Sequence, residues 1–439
     1  MMVLSQFPYG KIGSVFSLIR YGMEDISITP SISNPKRLTN KNSGDEWYNY
    51  YAGFSDSFVS EILESLELPK DAIILDPWNG SGTTTLNCAL AGYNVIGIDL
   101  NPVMNIIAKS KFSDSNDVFS ALKIVKGLRV NCYPKNTFDK SDFLLHWFDS
   151  NTASYIRYIS HYLQKRCKDI SLSSVYSLIF LALFSLVRKY VGKFIASNPT
   201  WVKKSKLDDE KVSINNKKIK SDLLDFINGK LCSTYIDKAI TVGNEIFHCS
   251  SSTNLPLDDN SIDAIITSPP YCTRIDYGIA TSPELGVLIG NYPKAIDELR
   301  RKLTGRTTID KKELEVNCVG PMANSILKEI LEHDSHASSS YYYKNFAQYF
   351  IEIKKSLAEI KRVIKKNGYF VCVVQDSYYK EIYCDLATIF TEMAEENDLQ
   401  LIHRQDFMSK FLMANINNKA KKYRDKMTAN ETVLVFQSK

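Results

Sequence analysis

Asp263 to Tyr271 reads DAIITSPPY. The apolar run Ala264-Ile265-Ile266 has the length and β-branched content of a buried strand, and it breaks off into a polar residue, two prolines and an aromatic. Two consecutive prolines fix their φ angles and have no N–H to donate, so Ser268-Pro269-Pro270-Tyr271 can continue neither a strand nor a helix. The stretch reads as a rigid shelf at a strand end. Its carbonyl oxygens and the Ser268 hydroxyl point outward to accept hydrogen bonds, and Tyr271 offers an aromatic face. Acceptors for an –NH₂ group beside a stacking platform can grip a nucleobase by its exocyclic amine, provided the base is unstacked or flipped. Hydrogen bonds from that amine to Ser268 and the Pro269 carbonyl would aim the nitrogen lone pair at a methyl donor. Cys272 follows directly but has no partner pattern for a nucleophile. A plain proline-rich turn is the alternative for the stretch taken alone.

Working upstream, Ala72-Ile73-Ile74-Leu75 reads as a strand, DPWNGSGTTT (76–85) as a glycine-rich turn and LNCALAGY (86–93) as a helix. A second strand, Val95-Ile96-Gly97-Ile98, ends at Asp99, which completes a unit that builds a parallel sheet. Gly80 and Gly82 allow a tight turn and a close approach of backbone to a ligand, and the free N–H groups of the following helix face that ligand. Asp99 is placed to accept hydrogen bonds from ribose hydroxyls. The alternative is a structural turn with Asp99 as a helix cap. The turn departs from the dinucleotide fingerprint, since its order is W-x-G-x-G with Trp78 at the first position. Asp76 and Trp78 would repel a pyrophosphate and suit a cationic amino group or sulfonium beside an adenosine. S-adenosylmethionine fits, and a nicotinamide dinucleotide fits poorly.

Six stretches follow from the pattern. Residues 1–45 are polar and irregular, an N-terminal arm. Residues 46–111 hold the aromatic patch WYNYYAGF, a helix with Ser55 as N-cap, and the cofactor half. Residues 112–245 lose the strand–helix alternation and read as a mainly helical insertion. Residues 246–290 carry the catalytic half, and 291–345 a second, charged insertion. In 346–439 an amphipathic helix closes at Asn367-Gly368, the strand YFVCVVQDS follows, and ETVLVFQSK reads as a last, edge-like strand.

The 439 residues are 44% hydrophobic and 23% charged, as in a soluble globular protein. The longest apolar run, Val175 to Val187, is too short to span a bilayer. No secretory signal pattern opens the chain, which reads as cytoplasmic, with its nine cysteines as reduced thiols. The six histidines lack metal-ligand spacing. Net charge is +5, but Asn151 to Ile246 holds sixteen Lys/Arg against eight Asp/Glu, an excess that suggests a polyanionic partner. A solvated lysine-rich helical face is the alternative. Trp201 with its lysines, and the basic ELRRKLTGRTTIDKK (298–312), are candidate contacts to bases and phosphates. Arg274, Asp276 and Tyr277 are candidates to shape a base pocket, with a plain Arg274–Asp276 ion pair as the alternative.

DPWNGSGTT, VIGIDLNP and SPPY together resemble the S-adenosylmethionine-dependent DNA amino-methyltransferases, which methylate N4 of cytosine or N6 of adenine. RVIKKNGYFVCVVQD and ETVLVF are similar to the later strands of the same fold, and the match covers 45–111, 246–280 and 346–439. The resemblance implies a three-layer, Rossmann-like α/β fold with a mainly parallel sheet and a largely helical insertion. It places Asp76, Trp78, Gly80, Gly82 and Thr83 against the cofactor with Phe54 on the same side, Asp99 on its ribose, and Ser268, Pro269, Pro270 and Tyr271 as the catalytic shelf. The family's usual Phe is Trp78 here, Ser250 and Ser251 stand where an acidic residue often ends the third strand, and the cofactor half precedes the catalytic half. Serine at the first shelf position leans toward cytosine N4. The implied setting is a restriction-modification or defence system: double-stranded DNA as substrate, a cognate restriction endonuclease as partner, no membrane, and a monomer. The alternatives are adenine N6, an RNA amino-methyltransferase, and a non-catalytic DNA-recognition subunit.

Overall fold

Among the described residues the chain forms nine strands: β1 (Ile73–Asp76), β2 (Asn94–Ile98), β3 (Glu245–His248), β4 (Ile262–Thr267), β5 (Ile364–Gln375), β6 (Ser377–Tyr379), β7 (Ile382–Cys384), β8 (Leu399–Ser409) and β9 (Ala429–Ser438). The structure, a computed structural model, describes residues 32–35, 48, 53, 55–131, 139–196, 201–230, 244–272, 275–309, 319–409 and 429–439. Seven strands make one sheet in the order β3-β2-β1-β4-β5-β9-β8, and β6 and β7 form a separate hairpin. The first five in that order are parallel, while β9 runs antiparallel to both β5 and β8. The chain winds outward from β1 through β2 to β3 and returns to β4 on the other side of β1. The topological switch point therefore falls between β1 and β4, where an open α/β sheet binds its ligand at the carboxyl ends of the strands.

The period-2 alternation of the strands splits the core in two. Ile74, Val95, Ala264, Ile266, Val371 and Val433 face the helices Asp56–Leu66 and Thr83–Leu90. Leu75, Ile98, Ile265, Phe370 and Leu434 face the helices Pro321–Glu332, Tyr343–Val363 and Leu386–Glu395. This is the three-layer α/β arrangement expected. Helix Asp56–Leu66 starts as predicted, with the Ser55 hydroxyl accepting from the Phe58 N–H, and buries Phe58, Val59, Ile62, Leu63 and Leu66. A third core gathers the helices Ser115–Lys126, Ser150–Gln164, Ser174–Tyr190 and Asn216–Lys230 with Pro102–Ser110 and Ser282–Ile289.

Three expectations are corrected. ETVLVF lies in β9, which is interior, with β8 as the edge; Thr432 to Phe436 are all buried because both faces of β9 are covered. The helix before β5 ends at Val363, and Asn367, at φ +63°, takes its left-handed conformation inside β5. Ile32, read as part of an arm, is buried against the sheet, and its carbonyl accepts from Gln405 Nε2 at 3.1 Å. Among the described residues no helix is long and apolar enough to cross a membrane.

Candidate active site

β1 delivers Asp76 to the switch point. Its carboxylate accepts from Thr267 Oγ1 at 2.5 Å and from the Trp78 N–H at 3.1 Å. Thr267 is the last residue of β4, so this bond ties the cofactor strand to the strand carrying the shelf. Burial pushes the Asp76 carboxyl up to about 6. The chain then turns through Gly80 and Gly82, at φ +49° and +80°, into the helix Thr83–Leu90. Asp99 follows directly on β2; its carboxylate accepts the N–H groups of Gly80 at 3.0 Å and Asn101 at 2.8 Å, and burial pushes it up to about 7. Asn101 in turn caps the helix Pro102–Ser110, with Pro102 in its first turn, so Asp-Leu-Asn-Pro fixes where the second carboxylate stands.

A cavity of about 270 Å³ opens between these strand ends and the shelf. Asp76, Trp78, Gly80, Thr83 and Asp99 line it from one side, and Ser268, Pro269, Pro270 and Tyr271 from another. Sequence reasoning thus collected residues from 76 to 271 that the fold brings to one cavity. Gly82 is not on its wall. The turn needs Gly82 for a different reason, since a Cβ there would lie 2.7 Å from the Cβ of Ala108. Phe54 and Arg274 lie outside the described residues.

The shelf is anchored residue by residue. Ser268 Oγ donates to the Val373 carbonyl of β5 at 3.0 Å, so the hydroxyl is not unsatisfied as expected; its proton is committed and its lone pairs remain as acceptors. The Pro270 carbonyl is also occupied, by the Tyr349 hydroxyl at 2.9 Å. The Tyr271 N–H donates to the Tyr277 hydroxyl at 3.2 Å. Asp276 pairs with Arg300 at 2.7 Å and caps the short helix Tyr277–Ala280. Arg306 is buried and paired with Glu352. Arg300 and Arg306, two cations of the second basic segment, are therefore committed to internal carboxylates and are corrected as phosphate contacts.

Sequence reasoning missed several walls of the cavity. Arg188, from the end of the helix Ser174–Tyr190, lines it and donates to Glu284 at 2.5 and 2.7 Å and to the Ala280 carbonyl at 2.5 Å. Tyr48 lies with its ring centroid 5.7 Å from that guanidinium and shares hydrogen bonds with Arg188 and Glu284. Ser251, Ser252 and the segment Lys302–Thr304 also line it. A charge at the end of an apolar run was the only signal for Arg188, and nothing in the sequence linked it to Glu284.

The buried Asp76 carboxylate at the switch point, the half-buried Asp99 after β2 and the anchored shelf thus face one cavity. The cavity fits S-adenosyl-L-methionine: the two strand-end acids suit a cation and a ribose diol, and Trp78 Nε1 is buried with no hydrogen-bond partner among the described residues. The profile of the DNA methylase family (N6/N4 methyltransferases) matches residues 15–110 and 262–439, and the chain belongs to that family. S-adenosyl-L-methionine is its cofactor. Among similar proteins, the Type II methyltransferase M.BsoBI of Geobacillus stearothermophilus is 28% identical over 316 residues, 63% of this chain and 58% of its own length. The chain thus spans less than two thirds of that relative. M.MvaI of Kocuria varians is 24% identical over 405 residues, with 84% of each chain covered. M.AvaI of a Nostoc strain is 24% identical over 400 residues, covering 80% of this chain and 78% of that one.

Proposed function

We propose that the protein is a Type II, sequence-specific DNA methyltransferase that moves a methyl group from S-adenosyl-L-methionine to the exocyclic amine of a flipped base, cytosine N4 in preference to adenine N6. The observation that carries this is the convergence of the Asp76 and Asp99 ends of β1 and β2 with the anchored Ser268–Tyr271 shelf on one cavity. Asp99 would hold the ribose hydroxyls, and Asp76 with Trp78 the cationic end of the cofactor. When bound, the cofactor supplies an electrophilic methyl group. The Ser268 lone pairs and the Pro269 carbonyl would accept the two amine protons and leave the amine lone pair facing the donor. Tyr271 would stack on the base, and Tyr277 would hold the Tyr271 backbone. Serine at position 268 supports cytosine, as the residue commoner in that position among cytosine N4 enzymes.

Double-stranded DNA would lie across the helical insertion (112–245), where Lys189, Lys193, Lys203, Lys204 and Lys206 are exposed, as is Trp201 at 44%. Ile195, on the cavity wall, pairs with Val202 next to that tryptophan. The second segment, 291–345, would meet DNA mainly through Arg301 and Lys302, which are exposed. The enzyme would act as a cytoplasmic monomer beside a cognate restriction endonuclease.

The test is nucleoside mass spectrometry after incubating the purified protein with S-adenosylmethionine and unmodified DNA. N4-methylcytosine is the expected product. N6-methyladenine would overturn the base assignment, and no methylated nucleoside despite cofactor binding would overturn the proposal.

A further inference from the structure

The turn Leu303–Thr307, inside what reads from sequence as a charged insertion, is pressed against the back of the shelf. Gly305 has φ +76°, and a Cβ there would lie 2.7 Å from the Tyr271 carbonyl oxygen and 3.5 Å from Pro270 Cβ. Only glycine satisfies both the backbone angle and the contact. The turn is held from behind by the helix Tyr343–Val363 and the residues just before it. Arg306 pairs with Glu352, Asn345 Nδ2 donates to the Arg306 carbonyl at 2.8 Å, and the Tyr341 hydroxyl donates to the Thr307 carbonyl at 2.9 Å. On its other side Thr307 Oγ1 donates to Asp276 at 2.5 Å. Asp276 caps the short helix whose Tyr277 hydroxyl receives the Tyr271 N–H. The contacts close a ring: Tyr271 N–H, Tyr277, Asp276, Thr307, Gly305 and back to the Tyr271 carbonyl. The Tyr271 N–H is thereby held by Tyr277, and its carbonyl side leaves no room for a side chain at position 305. Thr304, next in the turn, lines the cavity itself.

We infer that the Leu303–Thr307 turn is the positioning element of the shelf, with Gly305 setting the place of the Tyr271 ring on which the target base stacks. The inference rests on the methyltransferase proposal. Glycine is required there for the reaction, beyond what the fold alone requires. Gly305 is a positioning residue that acts through Tyr271, so its effect must vanish when Tyr271 is absent.

The experiment is a double-mutant cycle on the full chain, with Gly305→Ala, Tyr271→Ala and the pair. Single-turnover transfer of a labelled methyl group to saturating unmethylated phage DNA is measured beside the cofactor Kd and thermal melting. Gly305→Ala alone should slow transfer by about 10- to 100-fold, the scale of a misplacement near 1 Å, with the cofactor Kd unchanged. In the Tyr271→Ala background the further loss should be less than about threefold, since the two residues act as one unit. An unchanged rate, or equal losses in both backgrounds, overturns the inference. If Gly305→Ala does not fold, Thr307→Val opens the ring without inserting an atom, and it should slow transfer roughly tenfold with the same Tyr271 dependence. A wild-type chain that transfers nothing to DNA fails at the functional proposal, which the wild-type control separates from a failure of this ring.

Discussion

Ser268 shows how a single hydroxyl can be set for one task. Its proton goes to the Val373 carbonyl, so toward the cavity it is an acceptor only. Ser268→Ala should reduce methyl transfer by about 100-fold and leave the cofactor Kd within a factor of about two, as measured by single-turnover rates and calorimetry. Equal losses in both would contradict the role. Asp99→Ala should act in the opposite order, weakening cofactor binding first. The two strand-end carboxyls also predict a pH dependence. Burial raises Asp76 to about 6 and Asp99 to about 7 in the free protein. A bound cation and two hydroxyl donors favour the ionised forms and lower both values. Binding therefore releases protons below about pH 7, and affinity rises with pH up to about that value and levels off above it. Calorimetry at pH 6.5 in two buffers of different ionisation enthalpy should show proton release, and a buffer-independent enthalpy would count against these carboxyls as the cofactor's partners.

Elements carry their own signatures, and some were readable in advance. The strand–turn–helix–strand unit from Ala72 to Asp99 was legible because local patterning and long-range packing agree there. The exchange of edge and interior at β8 and β9 was not, because strand order depends on antiparallel pairing between segments far apart in the chain. Position 82 was legible as a glycine, but its cause is contact with Ala108 of another helix. Likewise Arg157, unremarkable in sequence, is fully buried and joins two elements. It pairs with Asp142 at 2.8 Å and donates to the carbonyls of Gly286 at 2.5 Å and Val287 at 2.6 Å, at the end of the helix Ser282–Ile289. Arg157→Ala leaves a buried carboxylate and two helix-end carbonyls without their cation, and it should cost about 3–5 kcal/mol of stability by chemical denaturation. Melting unchanged from wild type would show that the pair is not structural.

At the scale of the molecule, charge separates into two kinds. The arginines near the cavity are tied to Asp276, Glu284 and Glu352, while the exposed lysines of the helical insertion face solvent. Sequence counting saw the excess but could not tell committed cations from free ones, because commitment depends on partners about 25 to 100 positions away. Lys203→Ala and Lys206→Ala should weaken DNA binding for all sequences alike, and each should lower the slope of log K against log salt by about one. Fluorescence anisotropy over a salt series checks this, and an unchanged slope would move the DNA track elsewhere.

The reach of Arg188 and Arg157 out of the insertion bears on protein engineering. A recognition segment is naturally imagined as a cassette, cut at 112 and 245 and exchanged for another. Here the cassette's own helices hold Glu284 and the end of the helix Ser282–Ile289, and their core is shared with the helix Pro102–Ser110. A graft along the sequence boundaries would sever Arg188 from Glu284 and Arg157 from the Gly286 and Val287 carbonyls, while the Arg157–Asp142 pair would travel with the insert. A workable exchange must carry the helices Pro102–Ser110 and Ser282–Ile289 along with the insertion while leaving β3, β4 and the shelf in place, and such a chimaera should retain its cofactor pocket where the shorter swap would not.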